Sequence, residues 1–471
     1  MCSTLWKTRC SESCSQSDRE NAKHMTLVTR AYRYALDPTP SQEREFASHV
    51  GASRLTYNYL LSKVKATLNQ REAEKSYGVP ESELTPYMPV SHYALRKYWN
   101  SIKDTVAPWY RENSKEAYAD GAKRLSVGLS NYFASLKGKR KGAKVGFPKY
   151  HKRGRHESVR FTTGAIRVES DRHHVTLPVL GSIHTHESTR KLSRRIKNDT
   201  ARILAATLSR SGNSWFVTFT CEVEQTIIPT RAPVKIVGVD LGLNTLYKVA
   251  TPEGKVILDI TNSRQTKQSE SKLRRAQRLA SRKQGPTPGV KPSNRWVRSN
   301  KRVISIHRDT ANRRLDLINK TTTHLAKSCD VIVIESLNVS GMTRNHHLSK
   351  AIYDAMWGEF TRQLKYKTNW YGSQLIPADK WFPSTKKCSR CDVVKAKLLL
   401  SERVFNCTNC GLIIDRDENA AINLAKLGLE VIAGSSPGTG RGGLHKSRGS
   451  SELNAIAVEP SILKQPALQV A

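Results

Sequence analysis

Cys388-Ser389-Arg390-Cys391 and Cys407-Thr408-Asn409-Cys410 form two Cys-x-x-C pairs separated by fifteen residues. Two such knuckles can place four thiolates tetrahedrally around one zinc ion. With no other plausible ligand in the run, the site reads as closed and structural, not catalytic. Gly411 follows the second knuckle and allows its turn. Asp392 follows the first and must take a left-handed backbone at some cost. Three acids carry a different chemistry. Asp240 ends the apolar run Val234-Lys235-Ile236-Val237-Gly238-Val239, Glu335 ends Val331-Ile332-Val333-Ile334, and Asp417 stands at a helix start. An unpaired buried carboxylate is expensive, so acids at the ends of buried strands need a reason. If the two strands pair side by side, both acids reach one sheet edge, where Asp417 could join them. Asp415 competes with Asp417, but the helical start and the small residues Ala420 and Ala421 favour Asp417. Three carboxylates in one place call for a hard divalent cation, Mg²⁺ or Mn²⁺. Two such ions about 4 Å apart would activate water and stabilise the leaving oxygen of a phosphodiester.

The elements that must position these groups follow from patterning along the 471 residues. Residues 1–24 are a polar leader without periodicity, and Met25 is an alternative start. A strand is expected over Leu27–Leu36, within segment 25–40. Thr39-Pro40-Ser41-Gln42 then opens a helix with a capping box and an N-terminal proline. Helices are expected through 41–136, with Tyr57, Tyr59, Leu60 and Leu61 on one apolar face. Segment 137–230 combines a basic loop with short strands at Val159–Thr163, Ile166–Glu169, His174–Leu177, Arg202–Leu208 and Trp215–Val223, which suggest a small β-barrel or a sandwich. A proline-containing linker, Ile227–Pro233, leads into an α/β segment at 234–385. Within it, residues 264–325 read as a basic helix pair broken at Gly285-Pro286-Thr287-Pro288-Gly289. Arg344 to Trp370 reads as helix, the ribbon occupies 386–411, and a helix from Glu418 to Leu427 falls within 412–430. Residues 431–471 turn to Gly, Ser and Pro and read as a disordered tail.

Lys and Arg number 78 against 40 Asp and Glu, a net charge of +38. A field of that sign attracts polyanions, nucleic acid above all. Lys137–Arg160 carries ten basic residues and one acid, Glu157, interleaved with Phe147, Tyr150 and Phe161. That mixture suits phosphate contact with base stacking. Lys139, Arg140, Lys149, Lys152, Arg153 and Arg155 are the candidate contacts here. In Arg264–Lys320, with seventeen basic residues and three acids, they are Arg274, Arg275, Arg278, Arg282 and Arg302.

Several classes are disfavoured. No Gly-rich loop with a following Lys-Ser/Thr suggests an ATPase, and no Ser/His/Asp arrangement suggests acyl chemistry. His346-His347 reads as surface or phosphate-contacting. No apolar run approaches the roughly 20 residues of a membrane span, and the first 25 residues do not read as a secretory signal. Nine cysteines are too few and scattered for a disulfide framework. Cys2, Cys10, Cys14, Cys221 and Cys329 read as structural or incidental.

These residues resemble the TnpB family of insertion-sequence proteins, compact relatives of type V CRISPR effector nucleases. Val239-Asp240-Leu241-Gly242 resembles the first RuvC motif and Ile334-Glu335-Ser336-Leu337-Asn338-Val339 the second. Asp415-Arg416-Asp417-Glu418-Asn419-Ala420-Ala421-Ile422-Asn423-Leu424 resembles the third, with the ribbon in the expected place. Upstream, the likeness includes Arg54-Leu55-Thr56-Tyr57-Asn58, Gly146-Phe147-Pro148-Lys149-Tyr150 and Met342-Thr343-Arg344-Asn345. It covers roughly residues 27–430; Ser336 departs from a commoner acid without touching a catalytic position. The resemblance implies an α/β plus β-barrel architecture. This comprises an N-terminal wedge β-barrel, a helical recognition domain inserted after its first strand, an RNase H-like RuvC nuclease domain and a zinc ribbon. It implies a guide RNA from the transposon end and double-stranded target DNA recognised beside a short flanking motif. One site, Asp240, Glu335 and Asp417, would cut both strands, in a bacterial cytoplasmic, nucleoid-associated protein with one chain per RNA. Rival readings are a nuclease-inactive RNA-guided regulator, a DNA transposase, and a generic zinc-ribbon DNA-binding protein.

Overall fold

The computed structural model describes residues 24–434, apart from 141, 155–156, 228–233, 263–264 and 400. Arg155, the cysteines of the leader, residues 1–23, most of the 227–233 linker and residues 435–471 lie outside the described residues. The chain divides into two compact units, one spanning Leu27–Glu224 and the other beginning at Gln225.

In the first unit, β1 (His24–Leu36) leads into helix α1 (Pro40–Ser76). Thr39 accepts from the Gln42 amide, and the Gln42 side chain accepts from the Thr39 amide, so the capping box forms as the sequence predicts. Helices α2 (His92–Val106) and α3 (Lys115–Leu136) pack with α1 around Tyr57, Leu60, Leu61, Leu95, Leu125 and Leu129. Strands β2 (Ser158–Phe161), β6 (Ala201–Ser211) and β7 (Ser214–Ile227) join β1 in a sheet of order β1-β7-β6-β2. Strands β3 (Arg167–Val168), β4 (His174–Leu177) and β5 (Gly181–His184) form a separate antiparallel sheet, and helix α4 (Arg190–Lys197) follows. A bridge between Leu36 and Thr185 connects β1 to the end of β5. Among the described residues, these ladders are two open sheets and do not close hydrogen bond by hydrogen bond into a barrel.

Two of the three aromatics expected to stack on bases do other work. Phe161 is fully buried in the core of this unit, and Phe147 packs edge-on against Tyr132 at the helical core. Their apolar area is worth more in contact with protein than with solvent. Tyr150 alone of the three is half exposed, with the Lys65 ammonium 4.6 Å from its ring centre.

In the second unit, a mixed sheet has the order β10-β9-β8-β11-β12. Its strands are β8 (Ile236–Asp240), β9 (Thr245–Ala250), β10 (Val256–Thr261), β11 (Val331–Ile334) and β12 (Gln374–Pro377). Helices α5 (Gln265–Ser281) and α6 (Asn294–Ser328) form the basic pair, with the break at residues 282–293. A short helix α7 (Val339–Met342) precedes α8 (His346–Ala355) and α9 (Trp357–Tyr371). The single helix expected from Arg344 to Trp370 is therefore split. Met356 adopts a left-handed backbone at φ 51°, and the turn seats Ile352 and Ala355 on one side and Trp357 and Phe360 on the other in one core. Strands β13 (Val404–Asn406) and β14 (Ile413–Asp415) belong to the cysteine module, and α10 (Arg416–Ile432) ends the described fold.

Both faces of the sheet are covered, which explains why β8 and β11 are continuous apolar runs without alternation. Val237, Val239, Ile332 and Ile334 face α6, α8 and α9; Ile236, Val331 and Val333 face α10. Among the described residues, no helix is long and apolar enough to cross a membrane.

Candidate functional site

Strands β8 and β11 run parallel, with Val239 opposite Ile334, so Asp240 and Glu335 are the next residues of the same register. Side by side, the two strands deliver both acids to one edge of the sheet. Helix α10 supplies Asp417 from its first turn. The helix lies tightly on the strands because Gly238 and Gly428 leave room. A Cβ on Gly238 would stand 2.1 Å from the Ala421 carbonyl oxygen, and one on Gly428 would stand 2.8 Å from Ile236 and Val333 methyls. The Gly242 turn closes the same corner, where an added Cβ would lie 3.7 Å from Asp417 Oδ2.

Asp240 and Asp417 are 5% and 9% exposed, and the Arg416 guanidinium lies 3.4 Å from Asp417 Oδ1 and acts favourably on the charged Asp240. Burial, then the negative charges of Glu335 and Asp417, push the Asp240 carboxyl well above the usual range. Burial and Asp417 also raise Glu335, against the opposing effect of the Ser384 hydroxyl, which donates to Glu335 Oε1. Asp240 feels both Glu335 and Asp417, and Glu335 feels Asp417, so the structure brings the three acids together. Asp415 takes a different part. It is the N-cap of α10, accepting from the Glu418 amide at 3.0 Å, and it lies 3.6 Å from the Lys248 ammonium. An all-oxygen, anionic, water-poor donor set is the kind that a hard divalent cation neutralises.

The four cysteine sulfurs lie within 4.8 Å of one another, a zinc-ribbon-like cluster. Each knuckle closes through a backbone bond, Cys388 N to Val393 O at 2.9 Å and Cys407 N to Leu412 O at 2.8 Å. Asp392 and Gly411 occupy matching left-handed positions, at φ 63° and 70°. Lys387 reaches Asp392 at 3.1 Å on the strained turn. The Asn409 side chain, with the Val393 backbone, holds the Cys391 thiol down at about 6, which favours the thiolate a metal needs. Four soft donors at this separation suit one tetrahedral zinc.

Asn419 and Asn423, which have no role in the motifs above, tie the cysteine module to the helix that carries Asp417. Asn419 accepts from Ser389 N at 2.9 Å and donates to Lys387 O at 2.7 Å. Asn423, one turn later, donates to Ser384 O and Lys387 O. Both asparagines are buried, on the α10 face turned to the cysteine module, while Asp417 lies on the face that carries Ala421, Leu424 and Gly428 against the sheet. Their spacing of four residues in an otherwise apolar run is the signal that could have exposed them.

The candidate nucleic-acid contacts are on the surface. Lys139, Arg140, Lys149, Lys152 and Arg153 are exposed in the first unit, and Arg274, Arg275, Arg278, Arg282 and Arg302 in the second. Asn58 clamps the first group's loop through His151, donating to its carbonyl at 3.0 Å and accepting from its amide at 2.8 Å. Arg153 also lines a concavity of about 290 Å³ with Arg44, Arg54 and Arg210, where Glu157 is the one acid among its lining residues.

Three family models match the chain. They are described as "Probable transposase" (residues 218–346), "Cas12f1-like, TNB domain" (357–424) and "Helix-turn-helix domain" (25–73). A Mycobacterium tuberculosis H37Rv protein named "Putative RNA-guided DNA endonuclease" is 37% identical over 415 residues, covering 84% of this chain and 86% of that protein. A Streptomyces pristinaespiralis protein of the same name is 30% identical, over 87% of this chain and 92% of its own. InsQ of Escherichia coli K12, also so named, is 28% identical, over 86% and 93%. Among solved structures, a Cas12f1-sgRNA-target DNA complex aligns over 85% of this chain and 99% of that one, at a TM-score of 0.46 and 12% identity.

Proposed function

The chain belongs to the TnpB family of insertion-sequence proteins, and from that membership we propose that it is an RNA-guided DNA endonuclease with Asp240, Glu335 and Asp417 as its catalytic carboxylates. The observation that carries the reading is the buried Asp240 beside two further acids. Such a cluster is costly; Arg416 offsets part of its charge, and a hard divalent cation would offset the rest. Bound there, a pair of Mg²⁺ or Mn²⁺ ions would supply an activated water and charge stabilisation for the leaving oxygen. The protein's part is to fix the three carboxylates: two by strand register, one by a helix seated on glycines. Ser384 holds Glu335 in place from the loop that leads to the cysteine module. Retention of all three acids favours cutting over a binding-only role.

In this reading the guide is an RNA from the transposon end, and base pairing selects the double-stranded target beside a short flanking motif. One chain per RNA presents one RuvC site that cuts both strands. The net charge of +38 suits a partner as large and anionic as an RNA with its DNA heteroduplex. The direct test is sequencing of RNA co-purified with the protein, together with Mg²⁺-dependent cleavage of plasmids with randomised flanks. One discrete RNA and guide-matched cuts are expected. Heterogeneous RNA without guided cutting would refute the proposal.

Two further outcomes are expected. Replacing Arg274, Arg275, Arg278 and Arg282 with glutamine should weaken nucleic-acid binding and flatten its salt dependence. The log–log slope should fall by about 0.7–0.9 for each phosphate that these side chains no longer neutralise. Titrations at several salt concentrations read this, and an unchanged slope would leave that face merely solvated. Cys407→Ser should remove the zinc and loosen the ribbon, because metal-binding free energy in such modules is folding free energy. Zinc content and the melting curve report it; full zinc occupancy with an unchanged curve would count against the site.

A further inference from the structure

We propose that the first unit carries a second metal site, for a zinc-class transition ion, built on the cross-strand pair His174 and His184. The two histidines face each other in register on antiparallel strands β4 and β5. His174 turns its carbonyl away, to the Glu169 amide at 3.0 Å, and His184 turns its own to the Asp37 amide at 2.9 Å. They are therefore a non-hydrogen-bonded pair, the kind whose side chains stand closest. The ring centres lie 5.2 Å apart at an interplanar angle of 67°. Two imidazoles on one tetrahedral ion, with metal–nitrogen bonds of about 2.0–2.1 Å, hold their ring centres roughly 5 Å apart.

Each ring has a carboxylate behind it. Asp171 Oδ2 is hydrogen-bonded to His174 Nδ1, and Asp37 Oδ2 lies 3.7 Å from His184 Nδ1. A carboxylate hydrogen-bonded to one ring nitrogen, as Asp171 is to His174, orients the imidazole, the usual support for a metal-bound histidine; Asp37 is within ion-pair reach of His184 only. Nε2 of both rings is left for the ion. Among the described residues no third His, Cys, Asp or Glu completes the pair into a three-residue metal group, so water would fill the remaining positions. The local charge fits as well. In a chain with 78 basic residues against 40 acids, Asp37, Glu169, Asp171 and Glu187 lie at this corner, Glu169 paired with Arg167 at 3.6 Å and Glu187 facing Arg33. Both imidazoles are accessible, with side chains 40% and 46% exposed, so an ion can enter without unfolding the sheet. Bound there, it would pin the β4–β5 hairpin next to Asp37, two residues before the Thr39 cap of α1.

The site stands independently of the nuclease reading and is tested without it. The full chain, free of any histidine tag, is dialysed to equilibrium against micromolar Zn²⁺ at neutral pH and its metal content measured. Wild type should exceed both His174→Ala and His184→Ala by one ion per chain, and His346→Ala/His347→Ala should retain that ion. With Co²⁺, the ion lost in the variants should absorb in the visible without the thiolate charge-transfer band of a cysteine site. A wild-type chain without a nitrogen-ligated cobalt overturns the proposal, as does retention of that ion in both single variants.

Discussion

Asp240→Ala is expected to reduce guided DNA cleavage by roughly a thousandfold or more, about 4 kcal/mol of transition-state stabilisation, while leaving RNA capture intact. The carboxylate ends β8 beside Glu335, 5% exposed and raised by burial and two neighbouring acids, so it contributes little to the fold and much to cation capture. Removing it should also relieve repulsion. Measured without added Mg²⁺ or Mn²⁺ and with the zinc left in place, the variant should melt at the wild-type temperature or a few degrees above it, the direction found where a functional site is paid for in stability. Loss of cutting with a preserved or raised melting point assigns Asp240 to chemistry. Loss of cutting with a collapsed melting point would make it structural, and unchanged cutting would remove it from the site.

The acids at Asp240 and Glu335 were legible because their strands are buried on both faces. Such strands are written as unbroken β-branched runs, and a charge at the end of one stands out. The cysteine module was legible for the same kind of reason, since its spacing is set by covalent reach. Contacts made by distant segments were not. Ser384 reaches Glu335 across 49 residues, and nothing local marks that hydroxyl. Phe147 and Phe161 show the limit of composition: aromatics among basic residues look alike whether they stack on bases or fill a core, and here tertiary packing takes them. The break at Met356 was hidden because a left-handed non-glycine residue is chosen by the core on either side, not by local propensity. His174 and His184 are ten residues apart and become a pair only through the register of β4 on β5.

Gly238 makes the sharpest demand on packing in the second unit, and Gly238→Val is expected to yield an insoluble or cleavage-dead protein. A strand glycine usually marks a turn or a close approach, and here it is the approach. The added Cβ would stand 2.1 Å from the Ala421 carbonyl oxygen, 2.4 Å from the Ala425 amide nitrogen and 2.8 Å from Leu424 Cβ. Two of these atoms are helix backbone, which cannot rotate away as a flexible side chain could. The strand is held on both edges, by β9 and β11, so it cannot retreat. Helix α10 would have to lift, and it carries Asp417, Asn419 and Asn423 with it. The cost should exceed the ~1–3 kcal/mol of ordinary overpacking, a large share of the roughly 5–15 kcal/mol that stabilises a domain. Even Gly238→Ala should lower the melting temperature by several degrees and slow cleavage, because the Asp417 carboxylate moves with the helix. Gly358→Ala is the matched control: it sits in the first turn of α9 with nothing within 4 Å of the new methyl, and helix propensity favours alanine there. That variant should keep wild-type cleavage and melt no lower. If Gly238→Ala behaved like Gly358→Ala, α10 would not be seated on β8 as the structure has it, and the delivery of Asp417 to the carboxylate cluster would need another explanation.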